Sequence, residues 1–178
     1  MFIDTWLTGG ALGLAALLVL LGTLMYGRAG RAEQVGAAQT AALRAEAAAR
    51  WAPWVDEMPR LAGLTWQAIG LQRDGAAGEQ LLARAETQLQ EAVRRGPYDP
   101  FGQLRLARLY LAWARRGPVT RTAAELLGRA EEACAPALAD SPYWGRTWQG
   151  CADVGRERGQ ADEAAARTER ARQLGAQL

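Results

Sequence analysis

The side chains able to do chemistry in this chain are of few kinds: nineteen Asp and Glu, two Cys (Cys134 and Cys151), four Tyr and one Ser, Ser141. None of the 178 residues is His or Lys, so all 21 cations are Arg. Without His, no Ser-His-Asp or Cys-His nucleophile can be assembled. Without Lys there is no P-loop lysine and no Schiff base. Two Cys cannot complete a four-ligand zinc site within one chain, and no C-x-x-C redox pair is present. The acids stand singly or as neighbouring pairs such as Glu131-Glu132 and Asp162-Glu163, with no carboxylate cluster among them. A formal net charge of +2 is too small to point to nucleic acid. These counts predict a protein that is not an enzyme and that binds no cofactor, metal or nucleic acid.

The elements carrying these residues fall into three stretches. Thr5 to Gly27 contains no charge over 23 residues, roughly 34 Å of helix against a hydrocarbon core of about 30 Å. Trp6 and Tyr26 stand at its ends, where amphipathic rings suit the headgroup zone. Met1 to Asp4 lacks the basic start of a cleaved signal, so residues 1–28 read as a single uncleaved transmembrane anchor. Gly9 and Gly13, extended by Ala16, form a small-residue face on which two such helices could pair into a homo-oligomer. Arg28 and Arg31 follow the span while its other flank has no cation, which places the body on the cytoplasmic side of a bacterial inner membrane. A periplasmic body is the alternative.

Residues 29–58 read as an Ala-rich helical stalk with few large apolar residues, ended by Pro53 and Pro59. Trp51 and Trp54 flank Pro53. The plainer expectation is that their rings cap the next domain; the other is contact with the bilayer or a partner.

Residues 59–178 show internal repetition. Three helical hairpins are predicted, with turns near Asp74 to Gly78, at Gly117-Pro118 and at Gly159. Small residues recur on the first helix of each (Gly70, Ala107, Ala152). They recur again on the second: Ala85 and Ala92, Ala130 and Ala137, Ala164 and Ala171. Two helices joined by a short turn approach closely only where such residues face each other. No single hairpin can bury its apolar stripe, so three must stack. Pro97 and Pro142 end the first two hairpins, and Pro136 should kink the second helix of the second.

Trp66-x2-Ile69-Gly70, Leu106-Ala107-x2-Tyr110 and Trp148-x2-Cys151-Ala152 followed by Gly159, Ala164 and Ala171 resemble the tetratricopeptide repeat over about residues 60–176. Together with the membrane helix read above, the resemblance implies an all-α fold, a single transmembrane helix followed by a superhelix of about three hairpins, and it implies a protein-binding role. The first unit is a few residues longer than the family's, and the second about eleven. In layout the chain is similar to membrane-anchored tetratricopeptide proteins of bacterial envelope assembly. One such family, which regulates lipopolysaccharide synthesis, ends in a four-Cys metal module absent here.

Periodicity assigns a concave face to the first helices. Its outward residues are Leu64, Gln67 and Leu71 in the first unit; Phe101, Leu104, Arg108 and Leu111 in the second; and Arg146, Gln149, Asp153 and Arg156 in the third. Mixed apolar and Arg side chains suit a peptide or helix of acidic character. Glu163, Arg167, Glu169, Arg170 and Arg172 give the last helix a polar outer face. Cys134 and Cys151 fall at core-facing places and read as buried thiols, a disulfide being open only to a periplasmic body. Together these features predict a membrane-anchored adaptor that recruits proteins during assembly of an envelope or inner-membrane system. The alternative is a permanent subunit of a respiratory or photosynthetic membrane complex.

Overall fold

The computed structural model describes residues 34–97, 99 and 101–176. The predicted span at 5–27, with Gly9, Gly13 and Ala16, lies outside the described residues. Among the described residues no helix is long and apolar enough to cross a membrane. The chain divides after Ala38, and residues 39–178 form one compact unit.

The chain is helical over 34–51 (α1). There follow α2 (Glu57–Leu71), α3 (Gly75–Arg95), α4 (Gly102–Arg115), α5 (Ala123–Asp140), α6 (Gly145–Glu157) and α7 (Ala161–Gln173). The most extensive packing is α2 with α3, α4 with α5, and α6 with α7, which are the three expected hairpins. Each first helix then meets the next first helix, α2 with α4 and α4 with α6, while α3 and α5 make no comparable contact. First helices thus contact one another directly along the stack.

The small residues do what their spacing predicts. Ala85, Ala107, Ala130, Ala137, Ala152 and Ala171 are fully buried. Gly63 shows the effect most directly: a Cβ there would lie 2.7 Å from Leu89 Cγ and 3.2 Å from the Ala85 carbonyl. Between these contacts Leu82, Leu89, Leu109, Trp113 and Leu126 are sealed from solvent, each worth about 2 kcal/mol or more in transfer free energy. Helix ends are equally local in origin. Thr122 accepts from the Glu125 N–H at 3.1 Å, the Thr half of a T-x-x-E cap. Gly159 takes φ +77°, letting the Gln160 N–H reach back to the Gly155 carbonyl at 2.9 Å and close α6.

Several expectations need correction. Successive first helices start at Glu57, Gly102 and Gly145, 45 and 43 residues apart, against about 34 in the tetratricopeptide pattern. The surplus sits largely in α3 and α5, of 21 and 18 residues, whereas α7 has 13. Pro136 does lie inside α5, as its position in the sequence implies, and the helix continues to Asp140. From Ala42 onward α1 is not a solvated spacer: Ala42, Ala45, Glu46 and Ala49 are buried. Arg95 of α3 donates to the carbonyls of Ala49, Ala52 and Val55 at 2.9–3.3 Å, satisfying groups at the end of α1. Alanines need little volume opposite them, so a chain without large apolar residues still packs. Trp51 and Trp54 cap nothing; they are 86% and 78% exposed.

Candidate functional site

The first helices α2, α4 and α6 present the candidate surface. Contacts along the α4–α6 seam set its register. Phe101 and Trp144 meet edge to face, centroids 4.9 Å apart. Leu104 and Arg108 close on Gly150, whose absent Cβ would stand 2.6 Å from Leu104 Cδ1 and 3.4 Å from Arg108 Nε. Arg115 pairs with Glu157 at 2.9 Å. The paired positions differ by 42 to 46 residues throughout, so the two helices run parallel, held close by a glycine at their crossing.

This register corrects two predicted surface residues. Leu104 and Leu111 are buried, 2% and 6% exposed, Leu104 against Gly150 of α6. Arg108, Arg146 and Arg156 are exposed; Phe101, Gln67, Gln149 and Asp153 are half-buried. Leu64 and Leu71 stand out at 40% and 37% exposure. On α6, Asp153 is engaged: it pairs with Arg156 and accepts from Gln149 Nε2 at 3.1 Å. The Oε1 of Gln149 is buried without a protein partner. Arg108 and Arg146 have no ion-pair partner among the described residues, whereas the exposed acids without one are Glu132, Asp140 and Asp162, all on α5 or α7.

Sequence reasoning missed the buried glutamates. Glu46, Glu79 and Glu86 are 6–8% exposed, and each ties a helix to the hairpin that follows it. Glu46 of α1 accepts from Trp66 Nε1 at 2.6 Å and from Arg84 Nε at 2.7 Å. Burial alone would raise its pKa, but the hydrogen bonds from Arg84 and Trp66 outweigh that and hold it below the ordinary carboxylate range. Glu79 of α3 accepts from the Val119 N–H, from Thr120 N and Oγ1 at 2.9 and 2.5 Å, and from Trp113 Nε1. Here too burial is overcome by donors, and the group is held low. Glu86 receives Tyr110 Oη at 2.8 Å, Arg121 at 2.9 Å and Arg129 at 2.8 Å. Burial and the Glu86 contact push the Tyr110 hydroxyl above its usual pKa. Arg84 and Arg121 also lie over the rings of Trp66 and Trp113, at 4.5 and 4.7 Å. The available signal was an indole in a first helix, whose N–H needs an acceptor once the ring is buried.

Two further positions depart from expectation. Cys134 and Cys151 are not thiols: they form a disulfide between α5 and α6, with Cα atoms 5.6 Å apart and both residues fully buried. Arg167 is not on the outer face. It is buried, donating to the Cys151 carbonyl at 3.1 Å and pairing with Glu131 and Glu163 at 2.5 Å.

The architecture is that of an all-α, tetratricopeptide-like stack of hairpins. Among solved structures it is similar to one titled "MamA MSR-1 C2", with a TM-score of 0.54 and 18% identity, over 79% of this chain and 69% of that one. No protein-family model and no curated protein sequence matches the chain.

Proposed function

We propose that this chain is a non-enzymatic scaffold, tethered to a membrane through residues 5–27, whose first-helix face recruits an acidic segment of a partner protein. One observation carries the reading: Arg108 and Arg146, on adjacent parallel helices, lack counter-ions, while the acids lacking them sit on second helices. Guanidinium groups so placed suit carboxylates. The non-enzymatic part rests on donors: the buried carboxylates Glu46, Glu79 and Glu86 are each occupied by indole, hydroxyl, backbone or guanidinium groups.

Compartment follows from two opposed signals. Arg28 and Arg31 speak for a cytoplasmic body. The buried disulfide speaks for an oxidising one, since cytosolic thiols are kept reduced. Two charges are the weaker constraint, so our reading puts the repeat domain on the oxidising side. The exposed Trp51 and Trp54, between the span and the stack, then suit the bilayer surface.

The test is an acidic peptide library panned against the full chain in nanodiscs, with Arg108→Glu/Arg146→Glu as the matched control. Enrichment of acidic sequences that the double variant loses supports the reading; no enrichment, or equal enrichment on both, refutes it. An alkaline phosphatase fusion after Leu178 tests the compartment, and an inactive fusion places the body in the cytoplasm.

A further inference from the structure

Helix α1 turns one side to the fold and leaves the other bare. Ala42, Ala45, Glu46 and Ala49 are buried, and Arg95 fixes the end of the helix by donating to the carbonyls of Ala49, Ala52 and Val55. On the other side Leu43, Arg44, Ala47, Arg50 and Trp51 are exposed. Leu43, Ala47 and Arg50 follow at intervals of four and three, and Arg44, Ala47 and Trp51 at three and four, so the five form one stripe. Pro53 then carries the chain to Trp54. Leu43 is 49% exposed, Trp51 86% and Trp54 78%, so the fold holds two indoles and a leucine in place without covering them.

Charge on this face has one sign. Arg44 and Arg50 are exposed and have no ion pair among the described residues; Arg50 acts on the buried Glu46 only through its charge. Glu46 is the one acid in residues 39–54, and it is turned inward to Trp66 and Arg84. Asp56 and Glu57, just beyond, pair with Arg60. Indoles on a cationic stripe can meet a protein or a bilayer, and position in the chain favours the bilayer. Leu43 stands sixteen residues after Gly27, the end of the charge-free run that begins at Thr5. Sixteen residues reach at most about 55 Å, so a chain tethered by that run keeps the face within range of the headgroups at high local concentration. Indoles settle at headgroup level, and guanidinium groups are drawn to anionic lipids.

We propose that the outer face of α1, together with Trp54, is a docking surface for anionic lipid headgroups, which holds α1 flat against the bilayer. The choice of occupant rests on the tether through residues 5–27. The reading is separate from that of Arg108 and Arg146.

The experiment places a fluorescent non-natural residue at Ala47 of the full chain, in vesicles whose headgroups carry a nitroxide quencher. The lipid is phosphatidylcholine alone or mixed with phosphatidylglycerol. A control chain carries the label at Ala165 of α7, which is also exposed. Quenching at Ala47 should be at least about threefold stronger with phosphatidylglycerol than without, and at least about threefold stronger than at Ala165. Arg44→Gln/Arg50→Gln should remove the lipid dependence, and Trp51→Ser/Trp54→Ser should bring Ala47 down to the level of Ala165. All four replaced side chains are exposed, and circular dichroism melts confirm that the variants fold. Equal quenching at the two labels, equal quenching in the two lipids, or indifference to either variant overturns the proposal and leaves the indoles to a protein partner. Flotation separates this from failure of the tether. A chain that floats with phosphatidylcholine and resists alkaline extraction, yet shows no quenching at Ala47, keeps the tether and loses this face. A chain that floats only with phosphatidylglycerol, and not in the arginine variant, loses the tether and keeps the face. A chain that floats with neither loses both.

Discussion

Trp66 gives its indole N–H to Glu46 at 2.6 Å, and the same glutamate takes Arg84, whose guanidinium lies 4.5 Å above the Trp66 ring. One carboxylate thus fastens α1 to both helices of the first hairpin. Replacing Glu46 with Ala leaves a buried N–H without an acceptor, a loss of about 1–3 kcal/mol. Arg84 is 43% exposed at its side chain and can return to water, so it adds little. Trp66→Phe removes the donor together with part of a buried ring, so it should destabilise as well, through the cavity left rather than an orphaned N–H. Hydrogen exchange locates the effect: amides of residues 42–51 should lose protection in Glu46→Ala while those of α6 and α7 keep theirs.

Two glycines in helices should respond oppositely to alanine. Gly128 in α5 has open space where a Cβ would go, so Gly128→Ala should stabilise by up to about 1 kcal/mol from helix propensity. Gly63 meets Leu89 Cγ at 2.7 Å and the Ala85 carbonyl at 3.2 Å. Overpacking of about 1–3 kcal/mol there exceeds the same propensity gain, so Gly63→Ala should destabilise. Urea midpoints of the two variants on either side of the parent decide the matter. Midpoints that shift the same way would mean that close approach does not hold α2 against α3.

What the sequence made legible was periodic. Small residues at helical spacing marked the faces of α2 to α7 correctly, because close packing leaves a local trace in residue size. Leu104 looked outward by the same periodicity and is buried, because it packs on α6, whose Gly150 lies 46 residues beyond it. Helix α1 was illegible for a similar reason: alanines carry no signal of what covers them until Trp66 and Arg84 are in place. The role of Glu79 was hidden more deeply, since its partners Val119 and Thr120 lie in a turn about forty residues on. Of the candidate face, Arg108, Arg146, Leu64 and Leu71 are exposed on their first helices, as their spacing implies.

The disulfide makes a stability difference that redox chemistry can read. Cys134 and Cys151 are 17 residues apart and close the α5–α6 corner. A loop of that size is worth about 3 kcal/mol in the chain-entropy account. Reduction should lower Tm by about 10 °C for a domain of this length. Cys134→Ala/Cys151→Ala should show the lower Tm in either condition and no further response to reductant. An equal Tm for the oxidised and reduced parent would show that the bond adds nothing to the joint between second and third hairpins.

Acid should loosen the stack through its engaged carboxylates. In Glu91 the hydrogen bonds from Arg94 and Arg95 hold the pKa at about 2, and Glu46 and Glu79 are also held low. A carboxylate with a folded pKa below its unfolded value of about 4.5 binds fewer protons folded than unfolded, so stability rises with pH through that interval. The contribution is complete above the unfolded pKa and is lost as pH falls through the folded one. For Glu91 the window runs from about 4.5 down to about 2. Glu79→Gln and Glu91→Gln should each flatten Tm against pH in the acid range while lowering it at pH 7. Glu79→Gln should lower it more, because its donors from Val119 and Thr120 are part-buried and Arg94 is open to solvent. If both variants kept the parent's acid limb, the titration that loosens the stack would have to come from other carboxylates, and the joint at Glu79 would be held by packing alone.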